Sequence, residues 1–224
     1  MKHTSRYFLL LAIVLSLGAA SANATIYNIT FDPGDPIGGL AAGTTLSTQY
    51  LAATGASFSP NAFSGAGGPT GDWATNTGMT IADSVAGDVG GLGTPLLVSG
   101  NVLHSFSDYL AEDGDPSFLI TFAVPITSFS ATFAGMSDPA NTQIFGYSGA
   151  TLLTSTAATA TTGQQTLTIT TGLAFTSIVV TPGDFNDWVG VDNITFTTVP
   201  EPSTWVMLAG GLLLVLVSVR RRLA

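Results

Sequence analysis

The chain has 224 residues, a formal net charge of −9, no cysteine and only 8% charged residues. All five basic residues lie at the ends (Lys2, Arg6, Arg220, Arg221 and Arg222), and all fourteen acids lie between Asp32 and Glu201. This excludes disulfides, a thiolate nucleophile and Cys-based metal centres, and from residue 25 to 219 it excludes a Schiff-base lysine, internal Lys/Arg–carboxylate pairs and an arginine clamp for phosphate; it argues equally against nucleic-acid binding.

The N-terminus reads as a secretory signal peptide, the substrate of a signal peptidase. Lys2 and Arg6 make a basic n-region, and residues 7–17 form an apolar run too short for a comfortable bilayer span. Ala22-Asn23-Ala24 supplies the small-x-small cleavage pattern, with Ala22 and Ala24 at the two small positions, so the mature chain is expected to start at Thr25.

Residues 25–198 are expected to form one secreted β-sandwich domain, an all-β two-sheet sandwich or jelly roll. Apolar positions alternate at Tyr27/Ile29/Phe31, at Phe118/Ile120/Phe122 and at Phe129/Ala131/Phe133. Further short runs fall at 144–147, 166–170, 176–180 and 189–196, with turn residues between them and no sustained helical period. Pro125 and Pro182 stand at junctions between runs, where they cost no ladder bonds. Residues 31–59 are less regular, and 61–71 and 87–93 read as loops. Residues 151–171 hold eleven Ser/Thr in twenty-one positions; a threonine-rich edge hairpin is the first reading, with O-glycosylation as the alternative.

Few residues offer chemistry. His104 is the body's one histidine, and no Gly-x-Ser-x-Gly pattern surrounds Ser105 or Ser107, so a surface or packing role fits it better than a catalytic triad. Glu112-Asp113-Gly114-Asp115 and Asp184-Phe185-Asn186-Asp187 are dense acid loops. They suit solvated turns first, calcium second, and a carboxylate pair for glycan hydrolysis third. Trp73, with Asp72 and Asn76, and Trp188, with Asp187, have the aromatic-plus-amide composition of a sugar platform, although core or rim packing is the commoner use of such tryptophans.

At the C-terminus, residues 202–219 are uncharged and largely apolar, and Arg220, Arg221 and Arg222 follow as a cytoplasmic stop. Eighteen helical residues cover about 27 Å, enough for a marginal single transmembrane helix. Pro200-Glu201-Pro202 immediately precedes this run. A Pro-Glu-Pro triplet, a short apolar helix and a terminal arginine cluster, in that order over residues 199–224, resemble the PEP-CTERM sorting tail. The resemblance implies processing by exosortase, a transient anchor in the inner membrane of a Gram-negative bacterium, and release to the cell surface or an extracellular polysaccharide or biofilm matrix.

The body carries a looser resemblance. The opening strand with Asp32, the stretch Gly43-Thr44-Thr45-Leu46-Ser47-Thr48-Gln49-Tyr50 and the closing Val191-Asp192-Asn193-Ile194-Thr195-Phe196 are similar to secreted jelly-roll carbohydrate-binding-like modules. That implies neighbouring first and last strands, often a structural calcium and sometimes a sugar site. With antiparallel pairing of those strands, Asp32 and Asp192 are expected at one corner, where oxygen-only ligation suits Ca²⁺. The expectation is a non-enzymatic secreted or surface protein that binds polysaccharide, the alternatives being a carboxylate-pair glycan hydrolase and a purely structural matrix or adhesive protein.

Overall fold

The computed structural model describes residues 24–61, 79–84, 97–104, 117–136, 139–160, 163–182, 189–199 and Gly211. The chain divides into two compact units, one of Ile26–Val199 and one of the two ends, Met1–Thr25 with Pro200–Ala224. The signal-peptide and apolar-tail expectations, Trp73, Trp188 and both acid loops lie outside the described residues.

The described body is all-β. Its strands are β1 (Ile26–Ile29), β2 (Ala56–Pro60), β3 (Thr80–Asp83), β4 (Asn101–His104), β5 (Phe118–Ala134), β6 (Thr142–Ser148), β7 (Thr151–Ala157), β8 (Gln164–Pro182) and β9 (Gly190–Thr198). One helical turn, α1 (Leu51–Thr54), precedes β2 and closes on Gly55 in the left-handed region. The strands make one antiparallel sheet in the order β3-β4-β9-β5-β8-β6-β7, with β1 added on β9 and β2 on β5.

Two separate sheets were the expectation, and a single continuous sheet is what forms. The reason lies in β5. Its buried positions are even-numbered from Phe118 through Phe122 to Ile126, then odd-numbered at Phe129, Ala131 and Phe133. A change of parity requires an irregular step, and the pairing register of β5 shifts between Thr121 and Ile126 and again before Ser128. Pro125 sits inside this step, where it needs no ladder N–H, and its carbonyl accepts a hydrogen bond from the Val199 N–H at 2.8 Å. The bend is sharp. Seven residues of straight strand would separate Phe122 from Phe129 by roughly 23 Å, yet their ring centroids are 6.5 Å apart. Phe122 also lies 4.9 Å from Phe196 of β9.

Strand β8 bends in step with it. Gln164–Thr170 pair with the second half of β5, and Ser177–Val180 pair with the first half and with β6. The two apolar runs read as separate strands on each side of Pro125, and again on each side of Gly172, are therefore single strands that pass through both halves of the fold. The main hydrophobic core draws on both halves, with Ile120, Ile144 and Ile178 from one and Phe129, Leu167 and Ile194 from the other; two smaller clusters, around Val102 and Tyr147, lie apart from it. Strand β7 ends the strand order, as a threonine-rich edge should, but its hairpin partner is β6 rather than β8.

Gly146 of β6 is fixed by this packing. A Cβ there would meet the Phe175 ring, with Cδ1 at 2.6 Å, and Cδ1 of Ile169 at 2.9 Å. Gly146→Ala is expected to cost about 1–3 kcal/mol through overpacking. Gly172→Ala, on an exposed part of β8 with open space around it, serves as the control. Equal stability of the two variants in denaturant titration would contradict this account of the core.

Candidate functional site

Strand β1 pairs antiparallel with β9, Ile29 lying opposite Ile194. The condition for a shared Asp32–Asp192 corner is thus met, although neither residue sits quite where the alternation pattern put it. Strand β1 stops at Ile29, Phe31 takes a left-handed φ of 60°, and Asp32 falls in the turn beyond. Asp192 is the third residue of β9, next to Asn193 with a left-handed φ of 50°. A register shift in β9 opposite Ser130–Thr132 accompanies that conformation, so Asp192 faces Thr132 across the ladder.

Each aspartate is held by N–H donors. Asp192 accepts the Asn193 backbone N–H at 2.6 Å and its side-chain amide at 3.0 Å, and Ser99 N–H approaches at 3.5 Å. Asp32 Oδ1 accepts the Asn101 N–H at 2.9 Å. The Asn101 side chain in turn donates to the carbonyls of Leu40 at 2.8 Å and Phe31 at 3.3 Å, stapling the start of β4 to the turn after β1. Gly100, with φ of 69°, lets this strap approach; a Cβ there would collide with the Asp32 carboxylate.

A third carboxylate, Asp35, was not singled out by the sequence. Its Oδ2 accepts from Thr30 N–H at 3.1 Å, Phe31 N–H at 2.7 Å and the Tyr50 hydroxyl at 2.7 Å, while its buried Oδ1 has no hydrogen-bond partner. This knot stabilises the unusual backbone at Phe31. The only local signal for it is the turn-forming Asp32-Pro33-Gly34-Asp35, and Tyr50 gives no signal because its partner lies fifteen residues away.

The electrostatics follow from three acids and no cation. The Asp192 carboxyl is raised to about 6, chiefly by burial; the Asn193 and Ser99 N–H groups partly oppose the rise, and the charges of Asp32 and Asp35 add to it. Tyr50 is raised above the ordinary phenol range, first by burial, then by its hydrogen bond to Asp35 and the charges of Asp35 and Asp32. It therefore remains a hydrogen-bond donor. Among the described residues, no three His, Cys, Asp or Glu side chains converge as a metal-binding group. His104 lies on β4, Gly190 being its partner on β9.

The tail supplies the identification. Residues 198–222 match the family model for the PEP-CTERM protein-sorting motif. The chain ends in a PEP-CTERM sorting motif. Pro200, Glu201 and Pro202, with Arg220, Arg221 and Arg222, fall inside it. A PEP-CTERM motif implies an exported protein sorted to the cell surface and processed by exosortase. Among the described residues, no helix is long and apolar enough to cross a membrane. No curated protein matches the chain. Among solved structures, the K2 cleaved adhesin domain of Lys-gingipain is similar at 11% identity and a TM-score of 0.47, over 78% of this chain and 100% of that one. A family 6 carbohydrate-binding module is similar at 17% identity and a TM-score of 0.31, over 64% of this chain and 94% of that one.

The raised Asp192 carboxyl makes stability depend on pH. The folded chain holds this proton more tightly than the unfolded chain, whose carboxyl titrates near 3.8. Below pH 4 the group costs nothing; as pH rises from about 4 through about 6, stability falls by about 3 kcal/mol and then levels off. Asp192→Asn removes the titration. In a chelator, the unfolding free energy of the variant relative to wild type should therefore climb across that window. A difference that stays flat from pH 4 to 7 would show that Asp192 titrates normally.

Proposed function

We propose that the body is a non-enzymatic surface or matrix protein that associates with extracellular polysaccharide and is delivered by its PEP-CTERM tail. The observation that carries this reading is the sorting motif over residues 198–222. The absence of cysteine, lysine and arginine from the exported body supports a binding or structural role over catalysis. So does the carboxylate corner, because Asp35 and Asp192 are buried and their hydrogen bonds are spent on holding turns. Delivery proceeds through signal peptidase, a transient inner-membrane anchor and exosortase, with Pro200-Glu201-Pro202 as the processing motif.

In an exosortase-bearing host, mass spectrometry of the mature protein should find a product lacking the apolar helix and its arginines. An intact Ala224 terminus in such cells would refute the sorting route.

Calcium at the Asp32–Asp192 corner belongs to the same proposal. A cation there would offset the mutual repulsion of carboxylates that have no Lys or Arg to neutralise them, and the two aspartates would be joined by backbone carbonyls and water. Calcium at a hundred times its dissociation constant should then stabilise the fold by about 2.7 kcal/mol. The same shift in Asp32→Asn and Asp192→Asn, or none in wild type, would remove calcium from the corner.

A further inference from the structure

The outward face of one half of the sheet has an unusual chemistry. Three segments from separate parts of the chain, Ser128-Phe129-Ser130-Ala131-Thr132, Thr166-Leu167-Thr168-Ile169-Thr170 and Thr195-Phe196-Thr197, alternate hydroxyl and apolar residues. The apolar members are buried in the core. The hydroxyl members therefore point to the opposite face, where Ser128, Ser130, Thr195 and Thr197 are half-buried and Thr132 is buried. Strand propensity explains threonine at such positions. It does not explain why no outward position in these segments carries a charge or an amide.

The ladder places these hydroxyls in register. Ser128 lies opposite Thr170 of β8 on one side and Thr197 of β9 on the other. In the next row Ser130 lies opposite Thr168 and Thr195. Thr132 and Thr166 form a third row, which Asp192 closes. Strand spacing is about 4.8 Å and alternate residues along a strand are about 6.7 Å apart, so the patch repeats in two directions over roughly 10 by 13 Å. Two hydroxyl pairs bond within the array, Ser128 to Thr197 and Thr132 with Thr166, each at 2.9 Å, and Thr195 donates to Asn28 Oδ1 at 3.0 Å. These bonds fix rotamers before any partner arrives, which lowers the ordering cost of association. Thr166, Thr168 and Thr170 are exposed.

The chemistry restricts the occupant. The outward face of a sheet does not enclose a small molecule, for which concave sites are the rule. It has no apolar centre of the kind that holds a protein partner, and a second copy would bring another uniformly acidic body against this one. The same acidity repels anionic polymers, while the exposed and half-buried positions of the patch are uncharged serines and threonines, Asp192 being buried at its end. Hydroxyls both donate and accept, so their natural complement is another regular array of hydroxyls.

We propose that the hydroxyl face of β9, β5 and β8 is a docking surface for a neutral, ordered polysaccharide whose packed chains present hydroxyls at regular intervals. This rests on the polysaccharide-binding reading above and assigns it to a surface built from strand hydroxyls rather than from Trp73 and Trp188.

The test is co-sedimentation of the full chain, kept soluble in mild detergent, with microcrystalline cellulose, chitin and an insoluble β-1,3-glucan, and with calcium-gelled alginate as the anionic comparison. Wild type should be retained by at least one neutral polysaccharide and not by alginate. The triple variant Ser130→Ala/Thr168→Val/Thr170→Val should bind about tenfold or more weakly, with its circular dichroism and unfolding midpoint confirming that it is folded. Trp73→Ala/Trp188→Ala should bind as wild type does. Undiminished binding by the triple variant, or loss only in the tryptophan variant, overturns the assignment to this face and leaves the polysaccharide-binding reading standing. Preference for alginate overturns the neutral partner. Retention by none of the polysaccharides overturns both the face and that reading, and ice shaping without retention reassigns the array to a water lattice.

Discussion

Strand β5 presents even-numbered side chains to the core before Ile126 and odd-numbered ones after it, and the rest of the fold follows that switch. A strand that kept one parity would carry Phe129, Ala131 and Phe133 to the solvent face. The irregular step around Pro125 instead turns the strand so that both halves face the same interior. Because β8 stays paired with β5 on both sides of the step, the sheet folds over without breaking. Phe122, at the bend, then reaches both Phe129 and Phe196, and Gly146 must lack a side chain for the Phe175 ring to fit.

A second constraint is the charge balance. An exported body with thirteen acids and no lysine or arginine cannot pair its carboxylates with cations of its own. At the β1–β9 corner they are held by backbone N–H groups, an asparagine side chain and a tyrosine hydroxyl, and Asp35 Oδ1 is left without a partner. Such donors do not offset the burial of Asp192 or, to a smaller degree, the repulsion from Asp32 and Asp35, and Asp192 shows both as a raised proton affinity. The strap from Ser99 to Asn101 is held by the same groups, and Asp192 also ends the row begun by Thr166 and Thr132. The corner and the hydroxyl face are therefore contiguous.

Much of the site was legible in the sequence, and the part that was not has a common cause. Asp32 and Asp192 could be expected near one another because Asp32 follows, and Asp192 lies within, a strand whose pairing was expected. Asp35, Tyr50 and Asn101 could not. Each acts through a partner that periodicity does not reveal: a turn closed by Phe31 in a left-handed conformation, and contacts from Asn101 reaching 61 and 70 residues back along the chain. The hydroxyl face shows the same division, since alternation in each segment is plain but the register between segments is not.

The sequence by itself determined the all-β body and the sorting tail, because alternation, turn residues and a Pro-Glu-Pro-helix-arginine order are local patterns. It determined as well that no basic residue would be available inside the exported body. Only the tertiary structure decided that two expected sheets are one, that a buried aspartate knots the first turn, and that three hydroxyl segments align into a single array. The single sheet and the array depend on register shifts of three residues between β5 and β8 and of one residue between β5 and β9. Such shifts are set by how side chains pack across the core, and no local pattern encodes them.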